Sequence, residues 1–341
     1  MASPSATDIV TLTAHCHCKS NVFSITVPES ALPLCSPICQ CATCRHVTGS
    51  SLHTTVIVPL SQCIALPVIS ATNLVQYKTS DNLTRQFCGT CGADVYYLAP
   101  NAWVLCTGVL DSIAPGQLSR SLIYVEDSGD GGAAAYLPTY KSYCGSSSGR
   151  DAHGPVTDIA MLGYKSQAKM KAKAGVPSRG KLQCRCHCGG VEFYISRKKP
   201  IDDVSETGLT VHKRRCTYCP CETCRRCSGF ELTGWFGVPQ DDIFWHDGSA
   251  IQFDKGTLKT YESTPGVVCR EFCGVCGAKV FYRREAGVID VMAGLVETDS
   301  RAEEWLKWEA DDDFAQAALD LPFFREISDG IIKWNLDIQS G

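Results

Sequence analysis

Cysteines at three spacings set the chemistry this chain can do: Cys16-His17-Cys18, then Cys39-Gln40-Cys41-Ala42-Thr43-Cys44, then Cys88-Gly89-Thr90-Cys91. The same motifs return in the same order as Cys186-His187-Cys188, Cys219-Pro220-Cys221-Glu222-Thr223-Cys224 and Cys273-Gly274-Val275-Cys276, at offsets of 170, 180 and 185 residues. Zinc takes four ligands in a tetrahedron with sulfur at about 2.3 Å, so a four-thiolate site needs two close pairs that the fold brings together. The early Cys-x-Cys and the late Cys-x-x-Cys are such pairs. They assign Cys16, Cys18, Cys88 and Cys91 to one structural zinc, and Cys186, Cys188, Cys273 and Cys276 to its counterpart.

The middle clusters supply three thiolates each, Cys39, Cys41 and Cys44 in the first copy and Cys219, Cys221 and Cys224 in the second. Three protein ligands leave one position open, which is where catalytic zinc takes water or substrate. Three thiolates also donate strongly, which makes the metal a weak Lewis acid toward water and a good partner for a fourth, soft thiolate. A thiol bound there would be ionised at neutral pH and held as a nucleophile beside a carbonyl. The expected chemistry is thiol–carbonyl adduct formation or its reverse, with both trios as catalytic sites. The alternative is that a further cysteine closes them, Cys35 in the first copy or Cys216 or Cys227 in the second.

Arg45 and Arg225 each follow the last cysteine of a trio, so a guanidinium there could take a substrate carboxylate bidentately, or make an ordinary surface ion pair. His17 and His187 sit between two cysteines of one site and face away from the shared metal. Cys63, Cys106, Cys144, Cys184 and Cys269 have no repeated counterpart and read as small core residues or free thiols.

The elements that must position these cysteines are mainly β. Val22–Val27, Thr54–Val58, Val95–Leu98, Val191–Ile195, Val280–Tyr282 and Val288–Val291 are β-branched or aromatic runs bounded by turn residues. One helix is expected near the C-terminus, from Arg301 to about Asp320, with Ser300 and Glu303 as a capping box and Trp305 and Trp308 packing onto the core of the second domain. Flanking residues repeat too: Phe87–Ala93 and Phe272–Ala278 both read Phe-Cys-Gly-x-Cys-Gly-Ala, so the chain is an internal duplication. Residues 1–143 form the first expected domain, 144–180 a linker, and 181–341 the second domain with a C-terminal extension. Gly129–Gly132, Ser146–Gly149 and the basic stretch Lys165–Lys181 read as solvated linker sequence.

At 341 residues the chain can build two cores, and 44% hydrophobic with 20% charged residues is ordinary for a soluble protein. A net charge of −4 offers no bulk attraction to nucleic acid or to an anionic membrane. Met1 to Asp8 lack the basic-then-apolar run of a secretory signal, and no stretch approaches the roughly 18 apolar residues of a span, so a cytoplasmic protein is expected. In that reducing compartment 22 cysteines point to metal or catalysis rather than to disulfides. The sequence sets no oligomeric state.

The motifs resemble the glutathione-dependent formaldehyde-activating enzyme family, which also includes centromere protein V. The matching residues are Cys186-His187-Cys188-Gly189-Gly190-Val191, Cys219 to Arg225 and Phe272 to Gly277, with weaker equivalents in the first copy; Gly108 and Gly294 also fit. Tyr124 to Gly132, closing the first copy, looks like the two-domain members common in fungi. The resemblance implies a β-tent fold for each domain, one structural and one three-cysteine zinc per domain, hence up to four zinc ions. It also implies carbon–sulfur lyase activity on a glutathione hemithioacetal, with glutathione as co-substrate. The expected partner is a small-molecule thiol adduct. The rival expectations are a metabolite-tailoring enzyme using the same zinc–thiolate site, and a non-catalytic zinc-stabilised module for protein partners. The first copy departs from the second at Lys19-Ser20, where the second has Gly189-Gly190, and at His46-Val47-Thr48, where the second has Arg226-Cys227-Ser228.

Overall fold

The computed structural model describes residues 9–65, 67–143, 180–196, 213–284 and 287–339. The first half contains β1 (Ile9–His15), β2 (Asn21–Pro28), β3 (Leu34–Cys39), α1 (Ala42–Thr48), β4 (His53–Pro59), β5 (Val68–Ala71), β6 (Leu74–Ser80), β7 (Leu83–Cys88), β8 (Asp94–Ala99), β9 (Ala102–Cys106), β10 (Leu118–Ile123) and the short β11 (Ser142–Tyr143). The second half repeats them as β12 (Lys181–Arg185), β13 (Glu192–Ser196), β14 (Arg214–Cys219), α2 (Glu222–Ser228), β15 (Thr233–Pro239), β16 (Ile243–Trp245), β17 (Leu258–Thr264), β18 (Val268–Cys273), β19 (Lys279–Arg283), β20 (Val288–Met292) and β21 (Leu306–Ala310). A final helix, α3 (Leu321–Gln339), follows.

Both halves build the same two sheets. A three-stranded sheet runs β1-β2-β5 in one and β12-β13-β16 in the other. The large sheet runs β10-β3-β4-β9-β8-β7-β6, with β11 added at its edge, and its counterpart runs β21-β14-β15-β20-β19-β18-β17. In each, the same parallel pair lies at this end of the sheet: β10 on β3, with Cys39 opposite Ile123, and β21 on β14, with Cys216 opposite Trp308. The strands read from β-branched and aromatic runs are all present. In β2, Phe23, Ile25 and Val27 turn inward while their neighbours are more exposed, the period-2 pattern of a strand with one buried face.

Where a helix was expected from Arg301 to about Asp320, the chain instead turns, enters β21 and makes a short 3-10 stretch at Asp312–Ala317; the long helix begins only at Leu321. Ala302 has φ of +46°, outside the right-handed helical region. The Ser300 hydroxyl donates to Asp130 at 2.8 Å rather than capping a helix. Leu306 and Trp308 are buried by strand alternation. Trp305 and Trp308 do lie in the core of the second half, where Trp308 stacks on Tyr218 at 4.9 Å and donates its Nε1–H to the Arg301 carbonyl.

Gly129–Gly132 is likewise not linker. Asp130 in this segment is buried and accepts from the Arg301 backbone N–H at 2.7 Å, which ties the end of the first half to the second. Ser146–Gly149 and all of Lys165–Lys181 except Gly180 and Lys181 lie outside the described residues; Lys181 opens β12. Among the described residues no helix is long and apolar enough to cross a membrane.

The halves join face to face through near-identical contacts made twice. Gly108 N–H donates to the Gly229 carbonyl and Gly294 N–H to the Gly49 carbonyl, both at 2.9 Å. His17 N–H donates to Arg226 O, and His187 N–H to His46 O. Phe87 and Phe272, equivalent residues, meet edge to face at 6.4 Å. Gly49 and Gly229 end α1 and α2 with φ of +77° and +95°, and a Cβ on either would come within 2.2 and 2.3 Å of a backbone carbonyl oxygen of the opposite half, Lys279 and Asp94 respectively. Glycine is required there both for its backbone conformation and for the closeness of the seam.

Candidate metal centres

The fold brings together four cysteine groups that could hold metal ions: Cys16, Cys18, Cys88 and Cys91; Cys186, Cys188, Cys273 and Cys276; Cys39, Cys41 and Cys44; and Cys219, Cys221 and Cys224. In each group the sulfurs all lie within 4.8 Å of one another. Four sulfurs at about 2.3 Å around one ion stand about 3.8 Å apart. Cys16 to Cys18 at 3.6 Å, Cys18 to Cys88 at 3.5 Å, Cys186 to Cys188 at 3.5 Å and Cys188 to Cys273 at 3.5 Å fit that geometry. The described cysteines form no disulfide.

In the four-cysteine groups the pairs come from the turn after β1 and the end of β7, and from the turn after β12 and the end of β18. One ion in each would join the small sheet to the large one. N–H groups point at these sulfurs: Cys91 N–H to Cys88 at 3.4 Å, Val191 N–H to Cys186 at 3.3 Å, and Cys276 N–H to Cys273 at 3.5 Å. Such donors suit ionised, metal-bound thiolates.

Each trio spans a strand end and the start of a short helix. Cys39 ends β3, Cys41 precedes α1 and accepts the Cys44 N–H at 3.3 Å; Cys219, Cys221 and Cys224 repeat this around α2 at 3.4 Å. Among the described residues no fourth Cys, His, Asp or Glu joins either trio, so Cys35, Cys216 and Cys227 close neither. The thiols cannot all ionise unaided: Cys39 is pushed up by Cys41 and Cys219 by Cys221, while Cys44 and Cys224 are held well below the ordinary thiol range, by Cys39 and Cys219 first. A cation bound by all three would take the place of the protons they share.

The trios differ in access. Cys39, Cys41 and Cys44 are all buried and packed with Ile123 and Tyr124. Cys219 and Cys221 are half-buried, and Cys224 borders a cavity of about 10 Å³, room for one water, lined also by Trp235, Arg270 and Glu271.

Arg45 and Arg225, expected to take a substrate carboxylate, are engaged with backbone carbonyls of the opposite half. Both are buried, and their guanidinium groups cross the seam: Arg45 to the Val296 carbonyl at 3.3 Å, Arg225 to the carbonyls of Gly108 and Leu110 at 2.8 and 2.7 Å. His17 and His187 cross it as well, meeting the hydroxyls of Tyr261 and Tyr77 at 2.8 and 2.7 Å. Burial lowers the pKa of both imidazoles. Cys106 and Cys184 are core residues, Cys63 and Cys269 are half-buried, and Cys144 lies outside the described residues.

Two residues that touch the trios were not singled out from the sequence. Arg85 donates to the Cys44 sulfur at 3.1 Å, and Arg270 to the Cys224 sulfur at 3.4 Å. The signal was available: each stands three residues before the first cysteine of the repeated Cys-Gly-x-Cys, as Arg85-Gln86-Phe87-Cys88 and Arg270-Glu271-Phe272-Cys273.

The sequence model described as glutathione-dependent formaldehyde-activating enzyme matches residues 11–127 and again 181–309. The chain belongs to that family. The two matched stretches coincide with the two sets of sheets, so this is a glutathione-dependent formaldehyde-activating enzyme family member carrying the domain twice. A solved Rhodobacter sphaeroides protein is similar over 32% of this chain and 99% of its own, at 19% identity and a TM-score of 0.25, a likeness that carries no argument. No curated protein matches the sequence. Membership in the glutathione-dependent formaldehyde-activating enzyme family fits a metal-binding, glutathione-related activity, and the thiol-rich donor sets are those zinc favours.

Proposed function

We propose that this protein is a cytoplasmic carbon–sulfur lyase acting on the glutathione adduct of a small carbonyl compound, with Cys219, Cys221 and Cys224 as its working centre. The observation that carries the reading is the difference in access between two otherwise equivalent trios: one lies beneath Ile123 and Tyr124, the other reaches partly exposed surface beside a cavity. Zinc held by these three thiolates would supply an open coordination position at which an added thiol is ionised at neutral pH.

The residues around it serve the remaining needs of the reaction. Trp235 and Phe281 give the small cavity beside Cys224 an apolar lining. Arg270 brings a positive charge to the Cys224 sulfur. In the synthetic direction the sulfur of glutathione adds to the carbonyl carbon and the carbonyl oxygen takes a proton, giving the hemithioacetal. In the lyase direction the hydroxyl gives up its proton, the carbon–sulfur bond breaks and the thiolate leaves. The partner is a small molecule, with no nucleic acid and no membrane in the reaction.

Calorimetric titration of metal-loaded protein with glutathione, and with its hydroxymethyl adduct, tests the reading. Binding of both by the whole chain, lost in Cys221→Ser, is expected. If fully loaded protein binds neither, the enzyme reading fails and a zinc-stabilised interaction module takes its place.

A further inference from the structure

Arg85 and Arg270 occupy equivalent positions on β7 and β18, and each is nearly withdrawn from solvent, 1% and 8% exposed. A buried guanidinium is costly unless its charge and donors are met. The hydrogen-bond acceptors of Arg270 are the Ser263 hydroxyl at 3.0 Å and the Cys224 sulfur at 3.4 Å; those of Arg85 are His53 at 3.1 Å and the Cys44 sulfur at 3.1 Å. No carboxylate is among them. Each plane also lies over a tyrosine ring, Tyr282 at 4.8 Å and Tyr97 at 4.3 Å, which fixes its direction. In both halves the same cation is aimed at the same sulfur, the third of the trio.

Charge counting says why. Three thiolates and a divalent cation sum to −1, and a fourth thiolate makes −2 in a largely buried place. The four-cysteine groups carry that charge with N–H donors and one half-exposed sulfur each, Cys18 and Cys188. Each trio has one such N–H donor, Cys44 to Cys41 and Cys224 to Cys221, and adds to it one fixed guanidinium. Glu271, next along the strand, is held by Arg283 at 2.9 Å and so does not quench Arg270.

We propose that Arg270 is the positioning residue of the working trio: its guanidinium fixes the Cys224 sulfur and supplies the positive charge that lets the centre accept an anionic thiol as a fourth ligand. This rests on the thiol-adduct reading above and adds to it the residue that sets affinity for the thiolate. Through its charge-assisted contact with Cys224, Arg270 also withdraws electron density from that sulfur, so cobalt(II) in the trio reports its presence in the thiolate-to-metal charge-transfer band.

The test uses the whole chain loaded with cobalt(II), as wild type, Arg270→Gln and Arg270→Lys, titrated with glutathione. Arg270→Gln should keep its cobalt content, shift the charge-transfer band and bind glutathione about tenfold more weakly or worse, the loss of one charge-assisted contact. Arg270→Lys, which keeps the charge, should recover most of the affinity. Wild-type affinity in a folded, loaded Arg270→Gln overturns the proposal. So does an unshifted band with equal losses in both variants, which marks a packing role. If Arg270→Gln does not fold, Arg270→Lys decides: loss of glutathione binding with an unshifted band refutes the charge argument. Failure of the wild type to bind glutathione sinks the enzyme reading instead, and the band still reports whether Arg270 touches the metal's ligand.

Discussion

Asp94 and Lys279 stand at the same position of the two repeats, directly after Cys-Gly-Ala, and pair with each other across the seam. Both side chains are buried. Two copies of the first half meeting in this way would set Asp94 against Asp94, and two copies of the second would set lysine against lysine. The pair therefore favours the joining of unlike halves over like ones.

Removing one partner leaves a buried charge without its ion pair, with the Tyr97 hydroxyl on Asp94 or the Gly277 carbonyl on Lys279 left as hydrogen-bond partner, so Asp94→Asn or Lys279→Met should cost about 3 kcal/mol in denaturant unfolding. The exchange Asp94→Lys with Lys279→Asp should recover much of that loss. Equal stability of the single variants and the wild type would show that the pair does not hold the seam.

Gly49→Ala and Gly229→Ala place a Cβ against the opposite half's backbone at a positive φ, and each should lose more than about 2 kcal/mol. Gly248→Ala is the comparison: its φ is +83° but no atom lies within 4 Å of an added Cβ, so only the backbone cost of about 1 kcal/mol applies. Thermal melts of the three variants separate seam packing from backbone strain.

Cysteine replacements should sort by what each sulfur joins. Cys18→Ser and Cys188→Ser break groups that tie the two sheets of a half together, where structural zinc is worth on the order of 10 kcal/mol, so cooperative melting should disappear. Cys221→Ser alters a half-buried trio confined to one turn of chain; it should stay folded and lose turnover. An unfolded Cys221→Ser would make the second trio structural.

Elemental analysis of protein purified without added metal should find up to four ions per chain. A chelator should then remove one equivalent quickly, from Cys219, Cys221 and Cys224, and the rest slowly. Rapid loss of two would contradict the difference in access between the trios.

The cysteine pairings and strands were legible because their signals are local: a doublet spacing, an alternating apolar run, a glycine after a cysteine. Arg45 and Arg225 were placed beside the right cysteines but read toward a substrate, because nothing in a linear sequence says that a second copy of the domain will cover that side. Arg85 and Arg270 repeat at one place before Cys-Gly-x-Cys, but their partner sulfurs do not show in the sequence, because strand and trio are far apart in the chain and meet only through sheet order. The misplaced helix shows two periods competing. Trp305 and Trp308 fit one face of a helix, yet Leu306 and Trp308 also fit one face of a strand, and the free edge of β14 decided for the strand.

The cover that Ile123 and Tyr124 lay over the first trio has a consequence for the history of the molecule rather than for its equilibrium state. Ile123 is the last residue of β10, paired opposite Cys39, so the strand that completes the sheet also closes the door on the ion. Metal loading of Cys39, Cys41 and Cys44 would therefore belong to synthesis and folding. An ion held there would leave only as fast as that edge of the sheet comes away, while one held by Cys219, Cys221 and Cys224 would exchange more readily with the surrounding solution.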